Sequence, residues 1–304
     1  MIAAAVDLGS NSFICLIFKA DPLGNITKLH DEVILTRLSE GVDQDKRLSL
    51  SALNRAEQAF QRFSDLFSQY GVKQVLGVAT SAARDAKNKE EFLGLATKYG
   101  IPIRILSGEE EAQMTFEGVR DYFTEHTGVI VDIGGGSTEY ILAQRGEIVL
   151  RTSLDMGAVR FTERYSTAHD FINREFKVRE GIRSALLQSE TLKRIKEQNA
   201  LDFLMAVSGT PTNAVALVLG KFDDDQIEDF VLTQDHLKQL TESYSYKNLE
   251  QRLQEYPFIE AKRADVLPVG LAILEESMKF FGMDSYKVST RGIRHGAAKS
   301  IINK

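Results

Sequence analysis

One stretch of this sequence occurs twice, and the recurrence restricts the fold more than any other property of the chain. Ala5-Val6-Asp7-Leu8-Gly9-Ser10-Asn11-Ser12 returns as Ile130-Val131-Asp132-Ile133-Gly134-Gly135-Gly136-Ser137. An offset of 132 − 7 = 125 superposes Asp7 on Asp132, Val6 on Val131, Gly9 on Gly134 and Ser12 on Ser137. Each copy continues into a second apolar run, Phe13 to Phe18 and Tyr140 to Ala143, and then into a polar turn. Both halves therefore open with a buried strand, a tight Gly/Ser/Asn turn and a returning strand. At about 150 residues per domain, 304 residues are enough for two such halves.

Between the hairpins, strand-like and helical stretches alternate. Leu53, Ala56, Ala59, Phe60, Phe63 and Phe67 form a stripe of helical period. Gln74–Thr80 and Ile101–Leu106 read as strands, and a helix begins near Gly108. This alternation predicts an α/β fold, a sheet covered by helices. The sequence places the boundary just before the second hairpin, giving domains 1–124 and 125–304, with a mainly helical stretch expected from Ala158 to Asn199.

A net charge of −6 argues against a general nucleic-acid or anionic-membrane binder, which carries a basic face. No apolar run approaches the ~18 residues that span a bilayer, and the N-terminus shows no signal-peptide pattern. Cys15 is the single cysteine, set in an apolar run, so it reads as a buried bystander and a cytoplasmic location is expected. Oligomeric state is not legible; a homodimer is compatible with everything here.

The two turns carry the chemistry. Glycine allows close approach of backbone N–H groups to a ligand, and successive N–H groups form an anion-binding nest. A plain β-hairpin favours the same residues, but two matching hairpins, each led by an aspartate, point to a phosphate chain gripped from both sides. An acid beside an anion site calls for a cation. Mg²⁺ fits, held by one or two carboxylates with water and phosphate oxygens. Asp132 and Glu139 are the candidate ligands, with Asp7 a weaker third; the alternative for the two aspartates is an Asx cap of their own turns, which weighs as much as a metal role only for Asp7.

Ser107-Gly108-Glu109-Glu110-Glu111-Ala112 ends a strand and opens a helix. A carboxylate there can orient and deprotonate an attacking water. The same residues make a Ser-x-x-Glu capping box, and residue chemistry does not choose among the three glutamates. Arg84 and Arg37 are candidate phosphate clamps, and Ser208-Gly209-Thr210 follows another apolar strand. Thr290–Gly296 is a basic loop. Gly220-Lys221-Phe222 lacks the rest of a P-loop, and neither a His-Glu-x-x-His nor a Gly-x-Ser-x-Gly elbow is present.

Taken together, the paired hairpins, Ser107–Ala112 and Ser208–Thr210, with Arg37–Gly41, Thr80–Arg84, Met156-Gly157 and Val266–Leu274, resemble the exopolyphosphatase/guanosine pentaphosphate phosphohydrolase (Ppx/GppA) family. The resemblance implies two duplicated ribonuclease-H-like domains of the actin-like ATPase type with an interdomain cleft. It implies Mg²⁺-dependent release of orthophosphate from polyphosphate, or from guanosine pentaphosphate. It makes Glu110 the catalytic base and Asp132 and Glu139 the metal ligands. Gly9, Ser10, Asn11 and Ser12 become the first phosphate loop, Gly134, Gly135, Gly136 and Ser137 the second, with Arg84, Ser208, Gly209 and Thr210 facing phosphates. Longer members carry an added C-terminal helical domain of HD type, which this sequence is expected to lack, His169-Asp170 being too isolated to stand for it. A sugar-kinase-like transferase and a non-enzymatic nucleotide-binding protein remain as other readings of the same hairpins.

Overall fold

A computed structural model of the chain describes residues 1–165, 171–198 and 201–302, and His169 and Asp170 lie outside them. The chain divides into two units, residues 1–119 with 291–304, and residues 120–290.

The first unit is built on a five-stranded sheet ordered β3-β2-β1-β4-β5. Its strands are β1 (Ile2–Leu8), β2 (Ser12–Ala20), β3 (Ile26–Leu35), β4 (Gln74–Ala79) and β5 (Ile103–Ile105). β1 pairs antiparallel with β2 and parallel with β4, and β4 pairs parallel with β5. Side chains alternate between the two faces of a strand, so the apolar run Ala3–Val6 of β1 is buried on both. Ala4, Val6 and Leu8 join Phe13, Cys15, Phe60, Phe63 and Phe92 in one core. Ala3 and Ala5 join Leu16, Phe18, Val78, Ile293, Ala297 and Ile301 in the other.

The second unit repeats the plan with β6 (Thr127–Ile133), β7 (Thr138–Gln144), β8 (Glu147–Leu154), β9 (Phe203–Val207), β10 (Val231–Thr233) and β11 (Ser285–Val288). Read from β8, the order is β8-β7-β6-β9-β11, with β10 added antiparallel at the far edge. The pairings repeat sense for sense: β6 antiparallel to β7, parallel to β9, and β9 parallel to β11. Even the irregularities coincide. The extra residue of a bulge, Leu29 of β3, lies opposite Ile17/Phe18 of β2, and Val149 of β8 lies likewise opposite Leu142/Ala143 of β7, which are 125 residues on from Ile17/Phe18. This is the duplicated α/β plan that the recurring hairpin predicts, in the ribonuclease-H-like form that the resemblance implies.

The division at 125–304 needs two corrections: the first boundary falls after Val119, and residues 291–304 return to the first unit. The helix Ile293–Ile302 belongs to the first unit, where it covers the second face of β1, β2 and β4. It also lies backbone to backbone against the helix Gly108–Val119. A Cβ at Gly296 would stand 1.9 Å from the Met114 carbonyl oxygen, and one at Gly118 would stand 2.4 Å from that of Gly292. The mainly helical stretch from Ala158 is present among the described residues as three helices, Ala158–Arg164, Phe171–Gln188 and Glu190–Lys196. Ser189 ends the long stretch by capping the last of these, accepting a hydrogen bond from Leu192 N. No helix among the described residues is long and apolar enough to cross a membrane.

Candidate functional site

Parallel pairing brings the site residues of the first unit to one edge of its sheet. Leu8 stands beside Ala79, and Ala79 beside Ile105, so Gly9, Thr80 and Leu106 leave the strands together. Ligands of open α/β sheets bind at such carboxyl-terminal edges. The turn after β1 is closed by Gly9 N donating to Ser12 O at 3.1 Å. Its carbonyls are held by the segment that follows β3. Thr36 N and Arg37 N donate to Asn11 O at 3.1 and 2.9 Å, and Ser39 N donates to Ser10 O at 3.0 Å. In a trans peptide the carbonyl and the next N–H point opposite ways, so the Asn11 and Ser12 N–H groups turn away from that segment. The Ser10 hydroxyl is taken up locally, 2.8 Å from Ser81 Oγ and accepting from Ala82 N at 3.3 Å. Asn11 Oδ1, Thr36 Oγ1 and Ser39 Oγ are buried around this turn with no hydrogen-bond partner among the described residues. Such atoms are costly to bury unless a ligand meets them.

The matching edge of the second unit gathers the turn Gly134–Ser137 and Ser208–Thr210, since Asp132 pairs with Val207 across β6 and β9. Gly134 N closes the turn on Ser137 O at 3.0 Å, as Gly9 does in the first. The N–H groups of Gly135, Gly136 and Ser137 bond to nothing among the described residues. Three adjacent free donors make an anion nest.

Asp132 and Glu139 are cross-strand partners on β6 and β7, which puts both carboxylates on one face of the sheet. They are 2% and 1% exposed. Ser208 Oγ donates to Asp132 Oδ1, and Ser153 Oγ donates to Glu139 Oε1 at 2.7 Å. Ser208 itself has φ 77°, a left-handed backbone unusual for serine, where the chain leaves β9 for the helix Gly209–Leu219. Two buried like charges side by side repel unless a cation stands between them. No group of three or more His, Cys, Asp or Glu side chains able to hold a metal occurs among the described residues. A pair of carboxylates beside a phosphate nest is nonetheless the donor set Mg²⁺ uses, with waters and phosphate oxygens completing it. The residues fit that ion. Asp7 differs, because its cross-strand partner is Ile14.

The three glutamates after Ser107 separate by orientation. Glu110 forms the capping box: its Oε2 accepts from Ser107 N at 2.8 Å, and Ser107 Oγ accepts from Glu110 N at 3.2 Å. Its other oxygen is bound by Arg104. The Ser107 N–H foremost, and then Arg104, hold the Glu110 carboxyl below the usual carboxylate range. That environment suits a helix cap. Glu109 points to solvent, whereas Glu111 is 4% exposed and turned into the unit. There Arg84 Nη1 lies 3.1 Å from Glu111 Oε2 and donates to Leu106 O at 2.9 Å. Arg84 is thus engaged through one nitrogen, leaving Nε and Nη2 without a bond among the described residues.

One cation escapes sequence reasoning. Arg263 lies against Gly209 so closely that a Cβ there would stand 2.2 Å from its Nη1. Its guanidinium has no hydrogen bond or ion pair among the described residues, and burial lowers its pKa, with Glu260 partly offsetting. Arg263 is half-buried, and an anion at the Ser208–Thr210 turn would pair with its charge. Nothing in the local sequence links the two, which stand 263 − 209 = 54 residues apart.

A model of the Ppx/GppA phosphatase family matches residues 16–304. A bifunctional 3-dehydroquinate synthase/phosphatase from Fusobacterium nucleatum is 30% identical over 97% of this chain. The chain spans 46% of that relative's length. The crystal structure of the Aquifex aeolicus member of the Ppx/GppA family superposes with a TM-score of 0.80 at 26% identity, covering 100% of this chain and 98% of that one. An exopolyphosphatase structure from Cytophaga hutchinsonii shares the fold at TM-score 0.89 and 21% identity, over 100% and 98% of the two chains. Matched along nearly its whole length and carrying both glycine turns, this chain belongs to the Ppx/GppA phosphatase family.

Proposed function

We propose that this member is a Mg²⁺-dependent exophosphohydrolase that removes the terminal phosphoryl group of inorganic polyphosphate. The observation that carries the reading is the row of unbonded N–H groups at Gly135–Ser137 beside the Asp132–Glu139 carboxylate pair. The N–H row binds anionic oxygens, as do Arg84 and Arg263. Asp132 and Glu139 would hold Mg²⁺, which offsets phosphate charge when bound. The turn Gly9–Ser12 supplies further donors.

In the reaction, a water oxygen attacks the terminal phosphorus and the bridging P–O bond breaks. Orthophosphate leaves with a chain one unit shorter. Glu111 replaces Glu110 as the carboxylate proposed to orient the water and accept its proton. Glu111 is the inward-facing member of the trio, at the same sheet edge as the Gly9–Ser12 turn.

Guanosine pentaphosphate is the second reading, and one feature favours it. A cavity of about 330 Å³ in the second unit has apolar walls, Val178 and Val269 among them, and is also lined by Arg174 and Arg252, the latter with its guanidinium held by the carbonyls of Tyr244, Ser245 and Ala264. A nucleoside needs such a space, whereas a bare phosphate chain does not. Orthophosphate release from each substrate, with Mg²⁺ and no acceptor, decides between them. Release from neither would end the hydrolase reading.

A further inference from the structure

We infer that Arg160 is a positioning residue that holds the second phosphate turn in its binding conformation, an inference that rests on the phosphohydrolase reading above. A run of three glycines has more backbone freedom to lose than any other sequence of its length. Left to itself, Gly134-Gly135-Gly136 would not keep its N–H groups aimed at one point.

The start of the helix Ala158–Arg164 removes that freedom peptide by peptide. Ala158 N donates to Gly134 O at 3.0 Å, and Val159 N and Arg160 N donate to Gly135 O at 2.9 and 3.0 Å. Backbone donors stop there. The third carbonyl, Gly136 O, is held by the Arg160 side chain, whose Nε donates at 2.7 Å. With all three carbonyls turned toward the helix, the N–H groups of Gly135, Gly136 and Ser137 turn the opposite way. Close approach is a condition of this arrangement. A Cβ at Gly157 would stand 2.3 Å from Gly135 O, so any larger residue would push the helix off the turn.

The first turn shows why a side chain is needed only here. Its two tied carbonyls, Ser10 O and Asn11 O, are held entirely by backbone N–H groups of residues 36 to 39. It also has Ser10 and Asn11 where the second has Gly135 and Gly136, so less entropy must be overcome. Arg160 is 8% exposed, with the exposed Asp155 carboxylate 3.8 Å away. Its stem is therefore fixed, and its planar fork delivers Nε in one direction, which lysine cannot reproduce.

The test uses Arg160→Lys and Arg160→Met in the full chain, with backbone ¹⁵N relaxation and tripolyphosphate titration. In ligand-free protein, Arg160→Met is expected to loosen the Gly135, Gly136 and Ser137 amides. It is expected to weaken tripolyphosphate binding about tenfold or more, since hydrogen bonds from charged donors carry that weight. Arg160→Lys keeps the charge and should recover only part of the loss; it also serves where the Met variant fails to fold. Wild-type amide order and wild-type tripolyphosphate affinity in these variants would overturn the inference. A wild-type protein that hydrolyses no phosphoanhydride, while Arg160→Met still loosens the three amides, would sink the phosphohydrolase reading and leave the positioning role standing.

Discussion

Asp132 stands opposite Glu139 across β6 and β7, whereas Asp7, at the equivalent point of the first unit, stands opposite Ile14. Both hairpins thus carry the aspartate, and only the second carries a facing acid. Mg²⁺ binding should accordingly be lopsided. Asp132→Asn and Glu139→Gln are each expected to weaken Mg²⁺ at least tenfold, since they remove the proposed ligands and even supporting groups matter by 10–100-fold. Asp7→Asn should weaken it far less. Mg²⁺ titration by calorimetry checks this, and equal losses for Asp7 and Asp132 would refute it.

Glu110 and Glu111 should part company in the same assay. Glu111→Gln is expected to lower turnover by roughly 10²–10⁴, the range of a general base. Glu110→Gln should leave turnover near wild type. Ser107→Ala, which removes the other half of the capping box, should cost about 1 kcal/mol of stability without lowering turnover. Turnover lost in Glu110→Gln and kept in Glu111→Gln would reverse the assignment.

Packing of the C-terminal helix gives a stability prediction with a built-in contrast. Gly296→Ala must open the backbone contact with Met114, and overpacking of that kind costs roughly 1–3 kcal/mol. Gly94, inside the helix Lys89–Lys98, has nothing within 4 Å of where a Cβ would go. Gly94→Ala should stabilise by about 0.4–1 kcal/mol through the unfolded chain. Urea unfolding of both variants measures the two signs.

These cases mark what the sequence can and cannot convey. The hairpins are legible because strand, turn and returning strand are local, and an offset of 125 residues aligns them. The capping box Ser107–Glu110 is legible for the same reason. Which glutamate faces inward is not, because the rotation of the helix Gly108–Val119 is set by Arg84 and by Gly292, both distant in sequence. The helix Ile293–Ile302 reads as a continuation of the second half, since nothing in its own residues says that β1 needs a cover on its second face. Arg263 and Arg160 act across the fold on Gly209 and Gly136, so only packing exposes them.

Glu228 supplies a pH-dependent prediction. The chain passes between units after Val119 and after Thr290, and residues beside both passages bond to this one carboxylate. Tyr122 OH and Ser289 Oγ donate to its Oε1 at 2.8 and 2.9 Å, and Thr290 N and Oγ1 donate to Oε2 at 2.6 and 2.7 Å. Burial alone would raise its pKa, but the donors from Thr290, Tyr122 and Ser289 outweigh burial and lower it. A folded pKa below the unfolded value of about 4.3 means that the stabilisation is fully present above that pH. It is lost as pH falls through the folded value. Glu228→Gln, which cannot titrate, should therefore be less stable than wild type near neutrality, with the gap narrowing as the solution is acidified. Urea midpoints across that range measure the gap, and a difference that stays constant or widens on acidification would contradict the lowered pKa.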